Sequence, residues 1–343
     1  MLLRCPVPLR PGDLVGVTAS SAGVSPRMQA RLEHAVAVLE GAGLRVRLGD
    51  CLFADGLVSA PASARAAELT AMLTDPQVRA VVPPWGGELA IDLLPLVDWD
   101  AIARAEPTWL VGYSDLSTLL LPLTLLTGTM SVHGQNLMDT PYAVPAPQLS
   151  WREVLAAGAG STVRQGPAAM VRGDGWDDYE AHPQVDRYTF DTPGGWSLLH
   201  DDGADLQASG RLVGGCLEIV RHLVGTRYGD VPTFAREHAP DGTVVYLEVA
   251  EVPAVDVARS LHGLRLAGWF EHASAVLVGR TQAPPSGSFT QRDAVADALG
   301  GLDVPVVLDV DCGHVPPHLA LVNGARTSVS RAAGTWSLAQ VLG

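Results

Sequence analysis

The chain contains no lysine; all 23 of its basic residues are arginine. That absence excludes a phosphate-loop lysine of the Walker type, a Schiff-base lysine and a Ser-Lys dyad. Cysteine is scarce too. The four thiols at positions 5, 51, 216 and 312 are scattered and form no CxxC pair, as expected of reduced thiols rather than a disulfide framework or a zinc knuckle. Charged residues are only 17% of the chain and net −14, a surface that repels nucleic-acid backbones. There is no long apolar run. The longest uncharged stretch, Leu116 to Met138, is broken by Pro122, His133, Gln135 and Asn136, so it reads as a core helix followed by a loop and not as a membrane span. "MLLRCPVPLRPGD" has no apolar stretch long enough for a signal peptide, and a cytoplasmic location is expected.

What is present is the composition of a globular α/β protein. At 343 residues with 47% hydrophobic content, the chain exceeds one typical core and points to two domains. The first half alternates short apolar runs with amphipathic segments. "DLVGVTAS" (13–20), "RVRLGD" (45–50), "VRAVVPPWGG" (78–87) and "TWLVGYSD" (108–115) read as strands or strands with turns. "PRMQARLEHAVAVLEGAG" (26–43) and "SARAAELTAMLTD" (63–75) read as helices. Such alternation implies a parallel sheet with ligands beyond the carboxyl ends of its strands. Residues 140–210 are rich in Pro, Gly, Asp and Trp and read as a connecting, loop-rich region with short strands. From about 210 the α/β pattern resumes through "GTVVYLEVAE" (242–251), "AVDVARSLHGLRLAGWF" (254–270), "SAVLVGR" (274–280) and "PVVLDVDCGH" (305–314). The expected division is 1–165, a connecting and substrate loop at 166–205, and 206–343.

Three short stretches can carry chemistry. In "GYSD", Ser114 stands where a strand turns into a helix. A serine there either caps the helix or is a nucleophile presented to the helix's free N–H groups. The pattern departs from G-x-S-x-G because Leu116 replaces the second glycine. In "WGGE", Gly86 and Gly87 allow close backbone approach and can supply an oxyanion donor, or simply make a tight turn. They do not form the GxGxxG fingerprint, which disfavours a dinucleotide-dependent oxidoreductase. Among ten histidines, two are the candidates for a base: His133 in "SVHGQN", shortly after the elbow helix, and His314 in "DVDCGH", after a strand and a glycine. Glu248 ends an apolar strand, where a carboxylate needs a partner: either an orienting role beside a histidine or an ion pair with an arginine. Asp309, Asp311, Cys312, His314 and His318 resemble a metal cluster, but Pro316 and Pro317 prevent the helix that their spacing requires, and no metal or other cofactor is expected.

Taken in order, "RPGDLVGVTASSAG" (10–23), "PPWGGELAIDLLPLVDW" (83–99), "VGYSDLSTLL" (111–120), "HGQN" (133–136), "GRLVGGCLEIVRHLVGT" (210–226), "VVYLEVAEVPAVDVARSLHGLRLAGWF" (244–270), "SAVLVGR" (274–280) and "VPVVLDVDCGHVPPHLALVNGARTSV" (304–329) resemble the serine carboxypeptidase family (S66) that contains LD-carboxypeptidase and the microcin C immunity peptidase. The resemblance implies an N-terminal flavodoxin-like domain and a C-terminal swivelling β/α domain. It implies a metal-independent, cofactor-free cytoplasmic homodimer with a Ser114-His314-Glu248 triad, and an oxyanion site at Gly86 or Gly87 with the amide of Asp115. The long insert with "GWDDYE" and "GGWSLLHDDG" looks like the microcin-immunity branch, in which a tryptophan stacks on a nucleotide. Trp196 is the expected match, with Trp176 the weaker candidate. Trp85, His133, Trp196 and Cys216 are the expected substrate contacts. Cys216 stands where the family often has Asn, and a substrate hydrogen bond from that Asn would be missing. The expected reaction is hydrolysis of an amide in an aminoacyl or peptidyl nucleotide; the alternatives are a muropeptide substrate or a non-catalytic ligand-binding protein on the same scaffold. No nucleic-acid or membrane partner is expected.

Overall fold

The computed structural model describes residues 2–343 and is built on two sheets. The first contains β1 (Leu14–Val17), β2 (Arg45–Leu48), β3 (Val78–Val81), β4 (Trp109–Gly112) and β5 (Ser131–His133). These five are parallel, in the order β5-β4-β3-β1-β2. β1 and β4 are buried along their whole length. This is why they read as unbroken apolar runs: helices cover both faces.

The remaining strands are β6 (Thr162–Gln165), β7 (Met170–Val171), β8 (Thr192–Pro193), β9 (Ser197–Leu198), β10 (Leu206–Cys216), β11 (Thr243–Glu248), β12 (Ala273–Gly279), β13 (Val306–Val310), β14 (Leu321–Asn323), β15 (Arg326–Ala332) and β16 (Thr335–Val341). The second sheet runs β6-β16-β15-β10-β11-β12-β13-β9, with a parallel centre from β10 to β13 and antiparallel edges. β7 and β8 form a separate small hairpin.

The two halves exchange strands. β14, from the C-terminal segment, adds antiparallel to β5 of the first sheet, while β6, from before position 166, adds to β16 of the second. A division at 165/166 therefore separates neither sheet cleanly. The loop-rich region also holds a helix that periodicity did not announce, Trp151–Ala157, started by Ser150 and Glu153, which cap each other's backbone N–H groups. The S-x-x-E signal lies in the sequence; the run is too short to show a helical stripe.

One feature of packing positions the site. The helix Ser117–Thr127, directly after β4, is apolar on every side and nearly wholly buried. Its leucines share one core with Leu94 and Trp99 of the first half and with Val213, Leu217, Val220 and Leu223 of the second. A helix that is apolar all round has to be covered all round, and here both halves do it. No helix among the described residues is long and apolar enough to cross a membrane.

Candidate active site

β4 ends at Gly112, and the chain turns sharply. Ser114 has φ 65°, the left-handed region that a non-glycine residue occupies at a cost of about 1–3 kcal/mol. The turn is held from the side. Asn136 Oδ1 accepts the Tyr113 N–H at 3.2 Å, and Gly134 N–H donates to the Gly112 carbonyl at 3.0 Å. Ser114 is not a helix cap, since neither the short turn Ser114–Leu116 nor the helix after it has a side-chain cap. Its hydroxyl instead lies 3.1 Å from His314 Nε2, and His314 Nδ1 lies 2.9 Å from Glu248 Oε2. The serine comes from the first sheet, the carboxylate from the end of β11 and the imidazole from the loop after β13.

Glu248 is fully buried and its partner is an imidazole, not an arginine. Desolvation alone would raise its carboxyl pKa, but His314 and His133 outweigh burial and hold it well below the usual carboxylate range. Conversely, desolvation would lower His314, yet the charge and hydrogen bond of Glu248 raise it above its ordinary value. Backbone shape makes room for the pair. Gly313, at φ +95°, packs so tightly against the Glu248 carboxylate that a Cβ would overlap it, and a Cβ on Gly279 would lie 2.7 Å from Glu248 Cβ. These two glycines are needed for close approach.

The WGGE turn abuts the serine. A Cβ on Gly86 would lie 2.9 Å from Ser114 Cβ and 3.1 Å from both Ser114 Oγ and the Asp115 nitrogen. Gly87 adopts φ +143° against Ser21 and Ala22. Asp115 ties the two loops together: its Oδ2 accepts from Ser21 Oγ at 2.6 Å and from the Ala90 N–H at 2.8 Å. As the second residue of a helical turn, Asp115 leaves its own N–H without an intrahelical acceptor. Ser114 and His314 open into a cavity of about 270 Å³ lined also by Ala22, Trp85, Gly86, Gly87, Tyr113 and Asn136.

Of the expected substrate contacts, only Trp85 reaches this cavity; it is half-buried and donates its indole N–H to the Gly23 carbonyl. Three placements correct the sequence reading. Trp196 is buried against Trp336 and donates its indole N–H to Asp311 at 2.9 Å, so its faces are taken by packing. Cys216 is buried at the seam between the halves, where its N–H donates to Ser117 Oγ at 2.9 Å. His133, 1% exposed, sits behind the triad facing Glu248 and not in the cavity.

The tryptophan that stands exposed beside His314 is Trp176. It is 60% exposed, and its ring centre is 6.4 Å from that of His314. Its loop is anchored by the buried Arg31. That guanidinium donates to the carbonyls of Met138 (2.8 Å) and Pro183 (3.0 Å) and lies over the rings of Tyr142 and Tyr179. Tyr113 was also missed: it is buried with its ring edge against His314, 5.1 Å between centres. Its place next to Ser114 is visible in the sequence, but its contact with His314, 201 residues further along the chain, is not.

Residues 15–134 match the LD-carboxypeptidase N-terminal domain, and residues 209–329 match the LD-carboxypeptidase C-terminal domain. The chain is 23% identical to the microcin C7 self-immunity protein of Escherichia coli, covering 94% of this chain and 92% of that one. It is 28% identical to the murein tetrapeptide carboxypeptidase of Pseudomonas aeruginosa, over 70% of this chain and 68% of that one. Its fold superposes on the microcin C7 self-immunity protein solved in complex with glutamyl sulfamoyl guanosine, with a TM-score of 0.80 at 20% identity, over 99% of this chain and 98% of that one. With both family domains matched in order, the chain belongs to the LD-carboxypeptidase family and is a carboxypeptidase.

Proposed function

We propose that the chain hydrolyses an amide bond by nucleophilic catalysis at Ser114. His314 Nε2 takes the hydroxyl proton as Ser114 Oγ attacks the carbonyl carbon. Glu248 holds the Nδ1–H tautomer and stabilises the imidazolium that forms. The tetrahedral oxyanion is held by the amide of Asp115 and that of Gly86 or Gly87. His314 then protonates the leaving nitrogen. Water, deprotonated in turn by His314, attacks the acyl-enzyme and releases the acid and free Ser114. The observation that carries this reading is the unbroken relay at 3.1 Å and 2.9 Å across residues 114, 314 and 248. No step needs a metal or cofactor.

For the substrate we favour an aminoacyl or peptidyl nucleotide. The supporting observation is Trp176, an exposed indole held beside His314 by an anchored loop, as a base-stacking surface requires. The microcin relative's capture with a sulfamoyl guanosine analogue fits this choice. Trp176→Ala is expected to raise KM about 10-fold for an aminoacyl-sulfamoyl adenosine, the loss of one base–aromatic stack. Hydrolysis of a tetrapeptide muropeptide would be unchanged by the same substitution. Steady-state assays of both substrates on both proteins decide the matter. Rapid turnover of the muropeptide, with none of the nucleotide, would move the assignment to peptidoglycan recycling.

A further inference from the structure

We infer that His133 is a positioning residue for the triad acid, holding the second carboxylate oxygen of Glu248 through its Nε2–H. The inference rests on the triad proposed above. Glu248 has two oxygens to satisfy in a site shut off from solvent. Oε2 is taken by His314 Nδ1, while Oε1 has no hydrogen-bond partner among the described residues. Neither ring nitrogen of the buried His133 has one. These two unsatisfied groups face each other: His133 Nε2 lies 3.7 Å from Glu248 Oε1. That is an ion-pair separation, slightly beyond hydrogen-bond length, and a small rotation of either group closes it. Burial makes the closure favourable, because an unpaired carboxylate oxygen and an unpaired imidazole N–H are each costly in the interior.

The placement of His133 suits the role. It ends β5, where it pairs directly with Gly112, the last residue of the strand that delivers Ser114. Its ring is braced edge-on by Tyr246 of β11, 5.2 Å between centres, and by Tyr113 of the elbow at 6.2 Å. His133 thus links the strand beside the nucleophile to the carboxylate in the other half of the molecule, fixing the acid from behind while His314 takes it from the front.

Glu218 and Asp139, at longer range, also raise His314; the other titratable groups packed around His133 and Glu248 are the five side chains Tyr113, Tyr246, Cys216, Cys312 and His318. Burial, reinforced by Glu248, raises both thiols and both phenols, and burial together with His314 and His133 lowers His318 to about 3. All five are uncharged at neutral pH, which leaves the electrostatics of Glu248 to His314 and His133.

The test compares wild type, His133→Leu and His133→Gln, with Ser114→Ala as the reference, reading kcat, KM and the pH profile of kcat/KM on one cleaved substrate. His133→Leu is expected to lower kcat about 10- to 100-fold, the usual effect of removing a group that orients a site residue. KM stays within about 2-fold, since His133 does not line the cavity. The acid limb moves to higher pH, because a carboxylate with one donor fewer is a stronger base toward His314. His133→Gln keeps a donor and restores most of kcat and the limb. If His133→Leu does not fold, His133→Asn carries the same expectation, its amide being too short to reach Glu248. A folded Leu or Asn variant with wild-type kcat and an unmoved limb overturns the inference. So does equal impairment in all variants with no movement of the limb, which is the mark of packing alone. Turnover by Ser114→Ala would instead overturn the triad itself.

Discussion

Ser114→Ala is expected to leave the protein folded and to lower kcat by about 10⁶-fold, the scale on which removing a serine nucleophile acts in a triad that works as a unit. Folding should be spared for a specific reason. Alanine keeps the Cβ, so the left-handed strain at φ 65° is unchanged, and the hydroxyl donates to no group but His314. Any residual rate comes from the oxyanion amides and substrate binding. Circular dichroism and thermal unfolding beside the steady-state assay separate lost chemistry from lost structure.

Glu248→Gln is the second large effect. The amide fills the same volume but presents a neutral group to His314 Nδ1, removing the charge that holds the imidazole in its working tautomer. A loss of about 10⁴-fold in kcat is expected. The pH profile should move with it. In wild type, Glu248 raises His314, and His314 must be neutral to act as a base, so kcat/KM falls on the acid side of that raised value. Without the carboxylate the acid limb moves to lower pH, the opposite of the shift expected for His133→Leu. Stability follows the same groups. The depressed carboxyl of Glu248 contributes stability that is present above its unfolded value and is lost as pH falls toward the folded one. The raised His314 contributes stability that is full below its unfolded value and is lost as pH rises through the folded one. Unfolding of the Gln variant should depend less on pH in both directions.

Local patterns carried much of this site. An apolar run ending in Gly-Tyr-Ser-Asp announced an elbow, and Gly86 of WGGE abuts it. Glu248 was conspicuous as a carboxylate at the end of a buried strand, and His314 as a histidine after a strand and a glycine. What could not be read locally is which of these meet. The strand exchange that sends β14 to the first sheet and β6 to the second depends on edge pairing between segments more than 150 residues apart. The tryptophans show the same limit. Trp196 and Trp176 both sit in loop-rich sequence with no periodicity to assign a face. Their fates were settled by Asp311 and Trp336 on one side and by the Arg31 anchor on the other, none of which is a sequence neighbour. His133 is prominent in the sequence as a histidine, but only the fold shows that it faces Glu248 and lies outside the cavity.

The most direct measurement is intact-protein mass spectrometry of wild type and Ser114→Ala after treatment with a fluorophosphonate. The relay from Glu248 through His314 predicts a single phosphonyl adduct on wild type, formed faster as pH rises through the acid limb, and none on the variant. An adduct of equal yield on Ser114→Ala, or a folded wild type that takes no label at any pH while still cleaving its substrate, would contradict a nucleophilic Ser114.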